Sequence, residues 1–121
     1  MRTIFAVGLC FVLGACASEP SVYGIYDYVS INGETLPMAA VTEGWMELRA
    51  DGSLGLEIVF PNQADPMVSE GEFTLGGMED GCIPYTSPDV EDPDKVWTGS
   101  ICGDVFTNES AGETVVLHKR R

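Results

Sequence analysis

The 121-residue chain has few basic groups: six lysines and arginines stand against 19 aspartates and glutamates, for a formal net charge of −13. That balance argues against a nucleic-acid partner, because too few cations are present to neutralise phosphates. A single histidine, His118, and the lack of any CxxC pair leave a closed zinc site short of its four ligands, so no metal and no cofactor is expected. Nucleophilic catalysis needs a general base near a Ser or Cys. His118 is followed by Lys119, Arg120 and Arg121 and has no partner at a telling spacing, so it reads as a surface strand residue and no catalytic residue is assigned. Long apolar runs are missing too. The longest, Ile4–Ala15, has twelve residues, whereas a membrane-spanning helix needs about 20. No segment keeps a helical period over three turns, and there is no internal repeat or low-complexity tract.

What is present starts at the amino terminus. Arg2 is the only charge before Glu19, and the apolar run ends in small residues, the pattern of a secretory signal peptide over residues 1–15. Its exit, Leu13-Gly14-Ala15-Cys16, resembles the lipobox of bacterial lipoproteins. The resemblance implies that the chain is cut before Cys16 and that this thiol carries a diacylglycerol and palmitate-type acyl chains. Each buried methylene contributes about 0.8 kcal/mol, so two or three chains hold a small domain firmly on a bilayer. The alternative is a plain signal peptide with an incidental Cys16. Ala17 occupies the second mature position, where Asp would imply inner-membrane retention. The expected location is therefore the outer membrane, lipid-anchored, on the periplasmic side.

Removing residues 1–15 leaves 106 residues and takes away Arg2 but no acid, so the formal charge becomes −14. Such a surface favours solubility and could steer a basic partner. Residues 16–21 form the lipidated cysteine and a short tether, whose Ala17–Ser21 portion spans at most about 17 Å. Residues 22–121 form one domain. Cys10 leaves with the signal peptide. Cys82 and Cys102 remain, and in an oxidising compartment an even pair suggests a disulfide. A loop of that length is worth about 3 kcal/mol in the chain-entropy picture.

The domain reads as strands: Val22–Ile31, Trp45–Arg49, Leu54–Phe60, Gly71–Leu75, Cys82–Tyr85, Lys95–Cys102, Val105–Thr107 and Thr114–Lys119. Turn signals fall at Asn32-Gly33, Asp51-Gly52, Gly76-Gly77, Gly103-Asp104 and Ala111-Gly112. The stretch TLPMAAVTEG is the one place left for a helical turn or a covering loop. One hairpin can be registered. A two-residue Asp51-Gly52 loop would mix apolar and charged residues on one face. A three-residue loop, Ala50-Asp51-Gly52, pairs Leu48 with Leu54 and Met46 with Leu56, and sends Glu47, Arg49, Gly55 and Glu57 to the other face. About eight short antiparallel strands with one apolar face predict an all-β fold, a small up-and-down β-barrel or a tight sandwich. The segments GIYDYVSINGETLP, GWMELRADGSLGLEI, EGEF and TVVLHKR, with Gly24, Tyr26, Asn32, Gly33, Leu36, Pro37, Leu48, Asp51 and Gly52 at the pattern positions, resemble small lipocalin-like domains of bacterial lipoproteins. That resemblance implies the barrel. Tyr26 stands where lipocalins carry Trp and the chain is shorter than theirs, which argues against a large ligand cavity.

Carboxylate pairs such as Glu70 with Glu72 and Glu47 with Glu57 are what an outward strand face provides. The loop SPDVEDPDK carries Asp89, Glu91, Asp92 and Asp94, but lacks the acidic alternation and central Gly of a calcium loop. Pro88 and Pro93 make it read as a stiff, solvated loop. Tyr26, Tyr28 and Trp97 either fill the core or face a ligand. The expected function is a non-enzymatic binding or structural module of the cell envelope, with a membrane contact through the anchor and a small apolar ligand. The alternative is an acidic inhibitor of a basic protein such as lysozyme, although the Ser-Gly-x-x-Tyr signature of such inhibitors is missing.

Overall fold

A computed structural model describes residues 21–121. The expected signal peptide, Cys10, Cys16 and most of the expected tether lie outside the described residues. Ten strands follow one another: β1 Gly24–Ile31, β2 Glu34–Thr35, β3 Glu43–Leu48, β4 Ser53–Val59, β5 Met67–Glu72, β6 Thr74–Leu75, β7 Cys82–Pro88, β8 Val96–Cys102, β9 Val105–Ser110 and β10 Glu113–Lys119. All pairings are antiparallel, and the sheet runs β5-β4-β3-β1-β10-β9-β8-β7-β6 with β2 attached to β1. Each main strand pairs with its neighbour in sequence, and β10 returns to β1. Counting β5 and β6 as one bent strand and β2 as an appendage, this is an eight-stave up-and-down barrel. Closure is nearly complete. Phe73, between β5 and β6, is buried, and its N–H donates to the Gly52 carbonyl at 2.9 Å. Past this bend the strand leaves β4 and pairs with β7 through Thr74 and Leu75. Between β5 and β7 the Ser87 hydroxyl donates to the Glu72 carbonyl at 2.7 Å, bridging the seam.

The β3–β4 register follows from side-chain alternation: Leu48 faces Leu54 and Met46 faces Leu56. The loop has three residues, closed by Arg49 N–H to Ser53 O at 3.0 Å, with Gly52 at φ 88°. That left-handed position admits glycine without a Cβ clash. The Asp51 carboxylate accepts from the Ser53 N–H at 2.9 Å and fixes the corner. Several expectations shift. β9 runs on to Ser110 rather than ending at Thr107. The fifth strand begins at Met67 rather than Gly71, and β7 extends to Pro88. The turn into β7 is Asp80-Gly81, with φ of 52° and 82°, rather than Gly76-Gly77. Within TLPMAAVTEG, residues 36–42 form a covering loop in which Val41 is buried, and the ends belong to β2 and β3.

The core is asymmetric along the barrel axis. One end holds the amino-terminal segment, the β3–β4 and β8–β9 turns and the end of β10. Tyr26, Leu48, Leu54, Ile101, Phe106 and Leu117 are fully buried, most of them towards that end. Four rings stack across the interior: Tyr26 edge-on to Phe106 at 5.5 Å, Phe106 edge-on to Tyr85 at 4.7 Å, and Tyr85 against Phe73 at 5.9 Å. Such pairs add about 0.5–1.5 kcal/mol each beyond area burial. The Tyr26 hydroxyl donates to the Val22 carbonyl at 2.6 Å and ties the incoming chain to this packed end. Cys82 and Cys102 face each other across β7 and β8, 4.2 Å apart at Cα, and are joined by a disulfide.

Candidate functional site

The other end of the barrel is hollow. Above a floor set by Tyr85 and Met46 lies a cavity of about 330 Å³, walled by Tyr28, Leu54, Leu56, Ile58, Met67 and Val115 and bounded by the loops of that end. Its size is at the lower limit of small-molecule sites, which run from about 300 to 1,000 Å³. The inner face there carries shorter side chains: Ser87 and Asn108 take positions that large apolar residues hold further down their strands. At Gly44 a Cβ would come within 3.2 Å of the Tyr28 ring and 3.3 Å of the Glu57 carbonyl, so a larger residue would have to push the Tyr28 ring aside by a few tenths of an ångström.

Tyr28 and Trp97 line this cavity, and Tyr26 does not. Tyr26 belongs to the packed end, fully buried under Phe106. The Trp97 indole N–H donates to the Asp89 carboxylate at 3.0 Å, and the Lys95 ammonium lies 5.7 Å from the centre of the Trp97 ring. The loop after β7 is therefore more than solvated chain. Asp89 N–H donates to the Lys95 carbonyl at 2.8 Å and Lys95 N–H to the Asp92 carbonyl at 2.9 Å. Val90 reaches back over Gly71, where a Cβ would meet it at 3.0 Å. Asp89, Val90, Glu91 and Lys95 thus become part of the cavity mouth, opposite Glu113 of β10. Among the described residues, no group of three or more His, Cys, Asp or Glu side chains has metal-holding geometry. Burial first, then Glu113, then Tyr85, pushes the Tyr28 phenol up, and burial holds Tyr85 at about 12. Both phenols are neutral hydrogen-bonding groups at any ordinary pH.

Three polar side chains are buried in the described residues: Ser87, Asn108 and Ser110. Two are satisfied, Ser87 as above and Ser110 by donating to the Val96 carbonyl at 2.9 Å. Asn108, on the cavity wall and only 4% exposed, is not: its Oδ1 has no partner. Its cross-strand neighbours are Gly99 and Val115, which have no polar side chain to offer. An orphaned buried acceptor costs about 1–3 kcal/mol. The sequence signal was available, since alternation in VFTNES puts Phe106, Asn108 and Ser110 on one face.

No family model, curated protein or solved structure matches this chain. Function therefore rests on the site. The remaining candidates lie elsewhere. His118 is exposed on β10 near the packed end, across from Asp27 and Val105. Glu70 is exposed and takes a hydrogen bond from Arg49 at 2.8 Å, and Arg49 also reaches Glu47 at 3.1 Å, so these acids form a surface ion cluster.

Proposed function

We propose that the protein is a lipoprotein of the outer membrane, anchored through Cys16 and facing the periplasm, whose lipocalin-like barrel is a non-enzymatic binding module for a small molecule. The observation that carries the binding half is the cavity of about 330 Å³ at the hollow end, with apolar walls and a few converging polar groups, the usual make-up of a small-molecule site. A barrel filled throughout would favour a role resting on outer surfaces alone, such as inhibition of a basic protein. Support for the anchoring half comes from Leu13-Gly14-Ala15-Cys16 and from the Cys82–Cys102 disulfide, which suits an oxidising compartment. A non-enzymatic role fits the position of His118, which is exposed on the outer face and remote from the cavity.

Both halves are tested on protein purified from its native envelope. Mass spectrometry of the intact chain should show a start at Cys16 with added acyl mass; an unprocessed, unmodified amino terminus would end the anchoring reading. Organic extraction of the same sample should release a small molecule that Ile58→Trp, which fills the cavity, fails to carry. Equal recovery from both would remove the cavity from the argument.

A further inference from the structure

The binding reading says nothing about ligand chemistry, but the cavity does. Its floor and walls are apolar or aromatic, with Tyr28 and Trp97 offering flat faces. Asn108, on its wall and nine-tenths or more buried, carries one unmet hydrogen-bond acceptor, Oδ1. At the mouth, three carboxylates, Asp89, Glu91 and Glu113, face one ammonium, Lys95. Lys95 is drawn towards the Trp97 ring, and Asp89 already holds the Trp97 indole. Glu91 and Glu113 take part in no side-chain hydrogen bond or ion pair among the described residues, so both are free for a ligand.

Resting on the binding reading above, we propose that this site takes a small amphipathic organic cation: a flat apolar body that donates a hydrogen bond to Asn108 and bears an ammonium-type group among Glu91, Glu113 and Asp89. Each part answers a separate feature. The apolar body replaces empty space against Tyr28, Ile58 and Val115. The donor satisfies the orphaned carbonyl, and the cation offsets the excess of negative charge at the rim. An anionic ligand such as a fatty acid fits worse, because its carboxylate would meet either that acidic mouth or the apolar floor.

Four probes separate these parts: tryptamine, which has an indole N–H and an ammonium; 1-methyltryptamine, which lacks the N–H; indole-3-propionate, with a carboxylate in place of the ammonium; and indole. The full-length protein in phosphatidylcholine nanodiscs is titrated calorimetrically, with protein-free discs as the blank. Tryptamine is expected to bind tightest and 1-methyltryptamine about tenfold more weakly, the weight of one hydrogen bond. Indole-3-propionate is expected to be weakest, and raising salt from about 20 to about 500 mM should weaken tryptamine and leave indole unchanged. Glu91→Gln with Glu113→Gln should erase the preference for tryptamine over indole. Glu79→Gln with Asp80→Asn, at the packed end, should leave it intact. Asn108→Leu should erase the difference between tryptamine and its 1-methyl form. Equal binding of the propionate and the amine, or equal loss in the packed-end variant, would overturn the cationic class while the cavity reading survives. Failure of all four probes, indole included, would overturn the cavity reading as well.

Discussion

Replacing Asn108 by leucine should make the protein more stable, against the usual direction of buried substitutions. Asn108 Oδ1 is buried with no partner, at a penalty of about 1–3 kcal/mol. Its neighbours across the sheet, Gly99 and Val115, lose nothing when the amide goes. Leucine is bulkier, but the side chain borders a cavity of about 330 Å³ and has somewhere to go. Overpacking, which costs about 1–3 kcal/mol in a dense core, is therefore small here. A net gain of about 1–2 kcal/mol is expected, and for a domain of this size each kcal/mol raises Tm by about 4–8 °C. Urea unfolding followed by tryptophan fluorescence checks it, and the denaturant slope should stay unchanged if only stability moves. The companion Asn108→Asp should be less stable at neutral pH, because it buries a charge where a neutral acceptor was already unpaired. A loss of 1 kcal/mol or more in Asn108→Leu would refute the reasoning, because the amide would then be satisfied in solution and could not be held in reserve for a ligand.

Removing the disulfide as Cys82→Ser with Cys102→Ser should cost about 3 kcal/mol in urea unfolding, from a closed loop with a sequence separation of 20; a cost well below 1 kcal/mol would mean that the β7–β8 ladder already restricts the unfolded chain. Alkaline pH should unfold the protein abruptly. Burial holds Tyr26 and Tyr85 at about 12 and raises Tyr28 too, whereas in the unfolded chain they ionise near 10. A raised folded value means that stability is complete below about pH 10 and is lost as pH climbs through the folded values, by about 1.4 kcal/mol per pH unit for each tyrosine. Phenolate absorbance and circular dichroism should change together, between about pH 11 and 12 for a domain of ordinary stability; early ionisation without unfolding would contradict the burial. Asp89→Ala frees the Trp97 indole from its 3.0 Å bond, so amide exchange across residues 89–95 should rise while exchange in β1 and β10 stays slow.

Alternation carried most of the barrel. Met46, Leu48, Leu54 and Leu56 form an apolar set that a one-residue slip would turn outward, so their pairing is legible without coordinates. The start of β5 was hidden because the two apolar residues of Met67-Val68-Ser69-Glu70 are adjacent and fall on opposite faces, and Val68 points to solvent at 63% exposure. It is a strand because β4 offers it a partner, Leu56 facing Ser69 and Ile58 facing Met67, and partnership is tertiary. Gly76-Gly77 looked like the better turn because two glycines are permissive anywhere. Asp80-Gly81 takes the left-handed positions because Glu79 and Cys82 bridge around it and start β7 in register with Cys102. The cavity was less accessible still. A void depends on what loops do not fill, and the segment from Pro88 to Lys95 reads as hydrophilic chain until Val90 is seen to pack over Gly71. Aromatic content alone could not tell Tyr26 from Tyr28, which share a face and differ only in their height along the axis.

That difference in height gives the two ends separate physical tasks. Ser21 and Val22 enter at the packed end, where the Lys119 ammonium donates to the Ser21 carbonyl and the Tyr26 hydroxyl to that of Val22. The four-ring stack and the disulfide lie towards the same end, so stability is concentrated where the chain arrives. The cavity mouth, formed by the loop after β7 and by Glu113, is at the opposite end. Under the anchoring through Cys16 proposed above, a tether of at most about 17 Å would hold the packed end nearest the bilayer. The hollow end, with its excess of carboxylates, would then point away from anionic head groups and into the aqueous space. In that orientation the proposed ligand would reach the mouth through water rather than from the membrane, which is a further reason for it to carry charge.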